Sequence, residues 1–119
     1  MKVAISTLGP EPDSPLETRF GRARFFRIVD TETGQQTVVD NSQAANAVQG
    51  AGPRAVQTLA RLGVEAVLTG DVGPKAWTAL ESSRIQPYAL DGGSIEQSIR
   101  ALLAGELRAM SRADVKGHG

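Results

Sequence analysis

The residues best placed for chemistry occur in a phrase written twice. Gly52-Pro53-Arg54-Ala55 with Leu59 recurs as Gly73-Pro74-Lys75-Ala76 with Leu80. Proline suits the first helical position, where its missing N–H costs nothing, so each copy predicts the opening of a helix. Each copy also sets a cation in the first turn. A helix start carries roughly +0.5 charge and its free N–H groups prefer anions, so a cation there is at the wrong end. Two helices with this arrangement point to a receptor for something negative, with Arg54 and Lys75 on its walls. Gly50-Ala51-Gly52, just ahead of the first proline, reads either as an ordinary helix entry or as backbone cleared of side chains so that N–H groups can approach an anion. The full dinucleotide fingerprint and the P-loop Gly-Lys-Ser/Thr are both absent.

Three further segments carry candidate residues. Arg19 to Arg27 holds four arginines, all three phenylalanines of the chain and no acid. Arginine offers a fixed fork for an anion and phenylalanine a dry wall. Phe20, Gly21 and Arg22 are the candidates. Phe25 or Phe26 reads as core, and Arg24 and Arg27 as either site or solvated strand residues. Single-strand nucleic-acid binding uses the same residue types, but zero net charge and one short basic patch argue against it. Gly70-Asp71-Val72-Gly73-Pro74-Lys75 follows a strand directly and opens a helix. Asp71 is a cap, an acid or a metal ligand. The fourth segment is Asp91-Gly92-Gly93-Ser94, whose glycines read either as a plain turn or as a loop ending beside the same site.

Composition narrows the chemistry. There is no cysteine, which excludes disulfides, thiolate metal sites and cysteine nucleophiles. The single histidine, His118, is next to the last residue, so neither a Ser/His/Asp triad nor a core histidine site is expected. Asp30, Asp40, Asp71 and Asp91 fall at strand ends, as a two-metal nuclease would require. Asp30 and Asp40, however, occupy ordinary turn positions. Catalytic and direct metal-ligating residues are therefore expected to be none.

The elements that must position these residues follow from periodicity. Lys2 to Thr7 is a buried strand with Val3 and Ile5 on one face, and Leu8 to Thr18 a proline-rich loop. Phe25 to Asp30 and Gln36 to Asn41 form a hairpin around Thr31 to Gly34. Asn41 to Ala51 is irregular. Pro53 to Leu62 is a helix with Val56, Leu59, Ala60 and Gly63 inward. Glu65 to Thr69 is a strand, Pro74 to Ser83 a helix and Gln86 to Ala89 a strand. Ser94 to Ala104 is a helix with Ile95, Ile99, Leu102 and Leu103 inward, a Ser94/Gln97 capping box and Gly105 as its stop. The order β-β-β-α-β-α-β-α predicts a mixed sheet covered by helices, an α/β layered domain over residues 1–105 with a frayed tail over 106–119. Ligands on such sheets bind where loops leave the carboxyl ends of strands. The loop after the first strand, Asn46 to Arg54 and Thr69 to Lys75 should converge there. The opening residues are too short for a signal peptide's apolar region and no run is long enough to span a membrane, which fits a cytoplasmic protein. A monomer, or a weak dimer through the hairpin edge, is expected.

Together, Val3-Ala4-Ile5-Ser6, Arg19-Phe20-Gly21-Arg22-Ala23, Phe26 to Asp30, Gly50-Ala51-Gly52, Gly70 to Ala76 and Gly92-Gly93-Ser94-Ile95-Glu96 resemble the dinitrogenase iron–molybdenum cofactor biosynthesis family across residues 2 to 105. The resemblance implies a three-layer, ribonuclease H-like α/β/α fold. It also implies non-catalytic binding, storage or carriage of a molybdenum-containing metal–sulfur cofactor, with a cluster-delivering or cluster-receiving protein as a further partner. Many relatives carry histidine where this chain has Gln49, and glutamine is a poor ligand for a soft metal. The chain is therefore more similar to the family's orange protein branch, which holds a molybdenum–copper sulfide cluster non-covalently. Arg22, Arg54 and Lys75 would supply charge, with Phe20 and the glycine backbones as wall. A sensor domain for a phosphate-bearing or nucleotide ligand is the alternative reading of the same loops.

Overall fold

The strand at the centre of the molecule, β1 (Lys2–Thr7), is buried from Val3 to Thr7 because it has neighbours on both edges and layers on both faces. In this computed structural model, which describes residues 1–90 and 92–115, β1 pairs antiparallel with β2 (Phe25–Asp30) and parallel with β4 (Ala66–Thr69). β3 (Gln36–Asp40) extends the hairpin side and β5 (Gln86–Ala89) the parallel side, giving the order β3-β2-β1-β4-β5. The mixed five-stranded sheet agrees with the expectation of an α/β layered domain. Asp30 closes the hairpin turn by accepting from Glu32 N–H, and Gly34, at φ +77°, supplies the left-handed step.

Strand alternation sends two sets of side chains to opposite faces. Ala4, Phe26, Ile28 and Val67 meet α2 (Ala51–Arg61) and α3 (Pro74–Ser82) on one face. Val3, Ile5, Val29, Ala66 and Leu68 meet α4 (Ile95–Leu103) on the other, where Leu16 of the first loop also packs. Val3 and Ile5 share a face as expected. The capping box of α4 is present: Gln97 N–H donates to Ser94 Oγ at 3.0 Å and Ser94 N–H to Gln97 Oε1 at 2.9 Å. No helix among the described residues is long and apolar enough to cross a membrane.

Several boundaries differ from the sequence reading. Helix α2 begins at Ala51, two residues early, because Gly50 adopts φ +76° and turns the chain into the helix there. Its inward stripe is therefore Ala51, Ala55, Val56 and Leu59, while Ala60 is exposed and Gly63 is the left-handed stop. Part of the irregular stretch is a single helical turn, α1 (Ser42–Ala45), whose Ser42 N–H is capped by Asp40. In α4, Leu103 points outward at 61% exposure, and buried Ser98 completes the inward row. The segment after Gly105 is not detached where it is described. Ala89 N–H donates to Arg108 O and Met110 N–H to Pro87 O, so this segment covers the edge of β5. Burial of the Met110 side chain anchors it. His118 lies outside the described residues.

Two features fix the chain near the carboxyl ends of β1 and β4. Ser6 Oγ donates to Glu17 O at 2.6 Å and lies 3.0 Å from Thr69 Oγ1, while Gly70 N–H donates to Thr18 O. These buried bonds hold residues 17 and 18 against the strand ends. Glu17 is itself buried, and its carboxylate takes the Arg19 guanidinium at 2.9 Å and the Arg19 N–H at 3.0 Å. The Arg19 side-chain bond outweighs the burial and lowers the Glu17 pKa below its ordinary 4.5.

The second feature is a contact between helices. A Cβ placed on Gly52 would lie 2.7 Å from Ala76 Cβ, and one on Gly21 would lie 3.0 Å from Gly52 N. Only glycine lets α2 approach both α3 and the 3₁₀ turn Phe20–Arg22.

Two predictions follow from these contacts. Gly52→Ala should destabilise by about 1–3 kcal/mol through overpacking, although alanine is the better helix former. Adding Ala76→Gly should recover part of that loss, and a double-mutant cycle by urea unfolding reads the coupling. For Glu17, a lowered folded pKa means stability that is present above pH 4.5 and lost as pH falls through the folded value. Glu17→Gln should be less stable than wild type at pH 7, with the gap narrowing toward pH 3. An unchanged gap would place the effect in packing rather than in charge.

Candidate functional site

The two Gly-Pro-basic phrases meet. Helix α2 crosses α3 at the Gly52–Ala76 contact, so their starts lie side by side. The first N–H groups of a helix have no partner within it. Proline removes one from each helix, at Pro53 and Pro74. This leaves Ala51 and Gly52 in one first turn and Lys75 and Ala76 in the other. Arg54 N–H and Trp77 N–H are already used within their helices, by Gly50 O and Gly73 O. Four backbone donors thus belong to one small area with two helix-dipole ends.

A cleft of about 350 Å³ lies over this area, a volume within the range of small-ligand sites. Gly21 and Arg22 line it from the 3₁₀ turn. Gly50, Gly52 and Pro53 line it from α2, and Gly73 and Lys75 from α3. Of the three segments expected to converge, residues 48–53 and 73–76 line the cleft, while the loop over Leu8 to Thr18 does not and Gly21 and Arg22 take its place. Arg22 is held by two donations from Nη1, to Ala45 O at 2.6 Å and Ala47 O at 3.2 Å. That clamp fixes the loop leading to Gly50 as one wall and leaves the rest of the guanidinium beside the cleft. Lys75 is exposed at the opposite rim. Among the described residues, no ion pair engages Arg22 or Lys75.

Other candidates lie elsewhere. Phe20 is 1% exposed and packs its ring on Phe26 at 5.6 Å, so it is the floor beneath the cleft rather than its wall. An aromatic ring on this turn has more apolar surface to bury inward than the cleft offers. Arg54 lines a polar groove with Asp40, Gln57 and Arg61, and its Nε passes beside Gly50 at the edge of the cleft. Gly70 is packed on Thr18, where a Cβ would lie 2.8 Å from the carbonyl oxygen. Asp71 accepts Phe20 N–H through its carbonyl and so positions the 3₁₀ turn with its backbone. Pro74 sets the start of α3 without lining the cleft. Gly92 and Gly93, both at positive φ, lie beside α4 against Gln97 and Ser98, in a separate depression. Asp91 lies outside the described residues.

Val48, Gln49, Ala51 and Ala76 complete the lining. Val48 is 95% exposed and carried no signal in the sequence beyond its place before the glycines. Ala51 and Ala76 lie in the first turns of α2 and α3, a placement that the helix boundaries reveal.

The carboxylates do not assemble for metal-dependent hydrolysis. The antiparallel pairing sets Asp30 opposite Lys2, at the amino end of β1, away from Asp71. The Asp30 and Asp40 carboxylates are lowered in pKa first by backbone N–H donors, from Glu32 and Ser42 respectively, as turn and cap residues are. Among the described residues, no group of three or more histidines, cysteines or acids could hold a metal ion.

The profile of the family described as "Dinitrogenase iron-molybdenum cofactor" matches residues 1–105. The chain is similar to the apo form of the orange protein of Desulfovibrio gigas, with 35% identity, 92% of each chain covered and a TM-score of 0.88. A NifB-like protein of Thermotoga matches at 34% identity and TM-score 0.82, over 93% of this chain and 97% of that one. An uncharacterized protein of Methanocaldococcus jannaschii is 31% identical over 110 residues, which is 90% of this chain and 89% of the other. By the extent of these matches, and by the sheet and helices that carry the cleft, this chain belongs to the dinitrogenase iron–molybdenum cofactor family.

Proposed function

We propose that the cleft binds an anionic, molybdenum-containing metal–sulfide cluster non-covalently and without catalysis, as a carrier or store. The observation that supports this most is the pairing of the two helix starts, with Arg22 and Lys75 on opposite rims and no soft ligand among the lining residues. A sulfide-skinned cluster is a bulky anion. Four backbone N–H groups, two helix-dipole ends and two cations suit its diffuse charge. Proline, alanine and Val48 suit its soft surface. Gln49 lines the cleft but offers a hard oxygen or a neutral amide, so charge and shape would retain the cargo rather than metal–ligand bonds. Similarity to the orange protein favours a molybdenum–copper sulfide over a larger iron-containing assembly, and the ribonuclease H-like layout belongs to the same reading.

Charge retention makes specific demands. Each contact in a partly buried site contributes on the order of 1 kcal/mol, or about a fivefold change in affinity. Anaerobic reconstitution with tetrathiomolybdate and copper, followed by desalting, visible spectra and metal analysis, should give a coloured protein that keeps molybdenum. Arg22→Ala and Lys75→Ala should each weaken retention by about fivefold without unfolding the domain, and together by more. Arg54→Ala should matter less, because its side chain lines the neighbouring groove. Colourless, metal-free wild-type protein after desalting would overturn the reading. Stabilisation by nucleotides instead, seen as a thermal shift lost in Lys75→Ala, would assign the cleft to a phosphate-bearing ligand.

Because the contacts are largely Coulombic and partly exposed, retention should also fall as salt rises. Between about 0.1 M and 1 M the screening length shortens from roughly 10 Å to 3 Å. A cluster that stays bound equally at both ionic strengths would point to covalent ligation.

A further inference from the structure

We propose a second binding site, separate from the cleft, for a small aromatic carboxylate between α3, β5 and the segment that follows α4. A groove of about 370 Å³ lies there, lined by the apolar Trp77, Leu80, Ile85, Pro87 and Met110 and by the polar Glu81, Arg84 and Gln86. Two independent features of this groove lack an explanation in the fold itself. The first is the indole N–H of Trp77. Among the described residues it is the one buried side-chain polar atom without a hydrogen-bond partner, and the residue is 6% exposed. A buried donor left unpaired is costly, and each such group in a folded protein calls for a reason.

The second is Arg84. Helices α2 and α4 are followed by Gly63 and Gly105 in left-handed conformation, at φ +77° and +73°. Helix α3 ends in the same geometry, with Ile85 N–H returning to Leu80 O, but the left-handed residue is Arg84, at φ +57°. It is the one described non-glycine residue at positive φ. Glycine adopts this conformation without the steric cost that arginine bears. The left-handed turn thus places an arginine, not a glycine, in the lining of the groove.

The charge around the rim selects the ligand class. Glu81 is neutralised by Arg112 at 2.7 Å, and no ion pair engages Arg84 among the described residues. The lining therefore carries one uncompensated positive charge among apolar and polar side chains that include Trp77. An aromatic or similarly flat apolar body fits the walls, and a carboxylate fits Arg84. A second acceptor on the ring would reach for the indole. Met110 lines the same groove, and its unbranched thioether changes rotamer at low cost, so an entering ring can displace it beside Trp77. This site stands independently of the cluster cleft.

The sole tryptophan of the chain makes the test specific. The ¹⁵N-labelled protein would be titrated with 1-naphthoate and 4-hydroxybenzoate, and with their uncharged carboxamides. The indole N–H resonance of Trp77 should shift in a saturable way, with binding of each carboxylate about tenfold tighter than of its amide. Arg84→Gln should abolish that preference and Arg84→Lys should retain most of it. Arg22→Ala, at the other cleft, should leave the titration unchanged. An indole resonance that stays fixed at millimolar ligand would overturn the site. Equal binding of carboxylate and amide, or a preference that survives Arg84→Gln, would overturn the role of Arg84.

Discussion

The contact on which the site depends is a missing side chain. Gly52 has no Cβ, and one placed there would stand 2.7 Å from Ala76. That absence lets α2 and α3 cross at their first turns rather than at their middles. Crossing at the starts puts two helix-dipole ends and four unpaired N–H groups in one place. A larger residue would keep both helices and both cations yet separate their fields. Gly21 extends the constraint, since it packs on the backbone of Gly52 and carries Arg22 beside the same spot.

The sheet supplies the other half of the geometry. β1 and β4 are parallel neighbours, so their carboxyl ends coincide, and the chain leaves both at one edge. Ser6 and Thr69 sit at those ends and are buried together, with Glu17 O and Thr18 O as their partners. This polar knot turns the long first loop back across the strand ends. The Phe20 ring then anchors the turn in the core, and Asp71 O fixes its first N–H. Arg22 is thus positioned by buried contacts on three elements, although its own side chain is exposed. Each donor in the knot has an acceptor, so the loop is held by satisfied bonds in a low-dielectric setting, where they are strongest.

Most of this architecture was legible because the signals were periodic or punctuated. Alternation in β1, the hairpin around Gly34 and the Ser94/Gln97 box each have one physical solution, and the structure contains all three. The doubled phrase marks two helix starts that lie side by side in the structure. What the sequence concealed was direction around a helix. Proline at position 53 suggests a helix start, but left-handed Gly50 begins the helix earlier, and Arg54 lines the adjoining groove while its Nε passes beside Gly50. Phe20 was assigned to the wall by chemistry and went to the core by burial. Gly92 and Gly93 shared a composition with the site but not a face of the sheet. Tertiary burial decided these positions, and no window of sequence encodes it.

Net charge hides the same kind of information. Thirteen basic and thirteen acidic residues cancel over the chain, which read globally predicts no anion binding. The cancellation is uneven in space. Arg19, Arg100, Arg108 and Arg112 are matched by Glu17, Glu96, Asp114 and Glu81, all outside the cleft. Arg22 and Lys75 are not matched in this way, so the local potential at the two helix starts is positive while the whole is neutral. In a neutral protein, a cleft with unmatched cations attracts anions at short range, and salt screens that attraction.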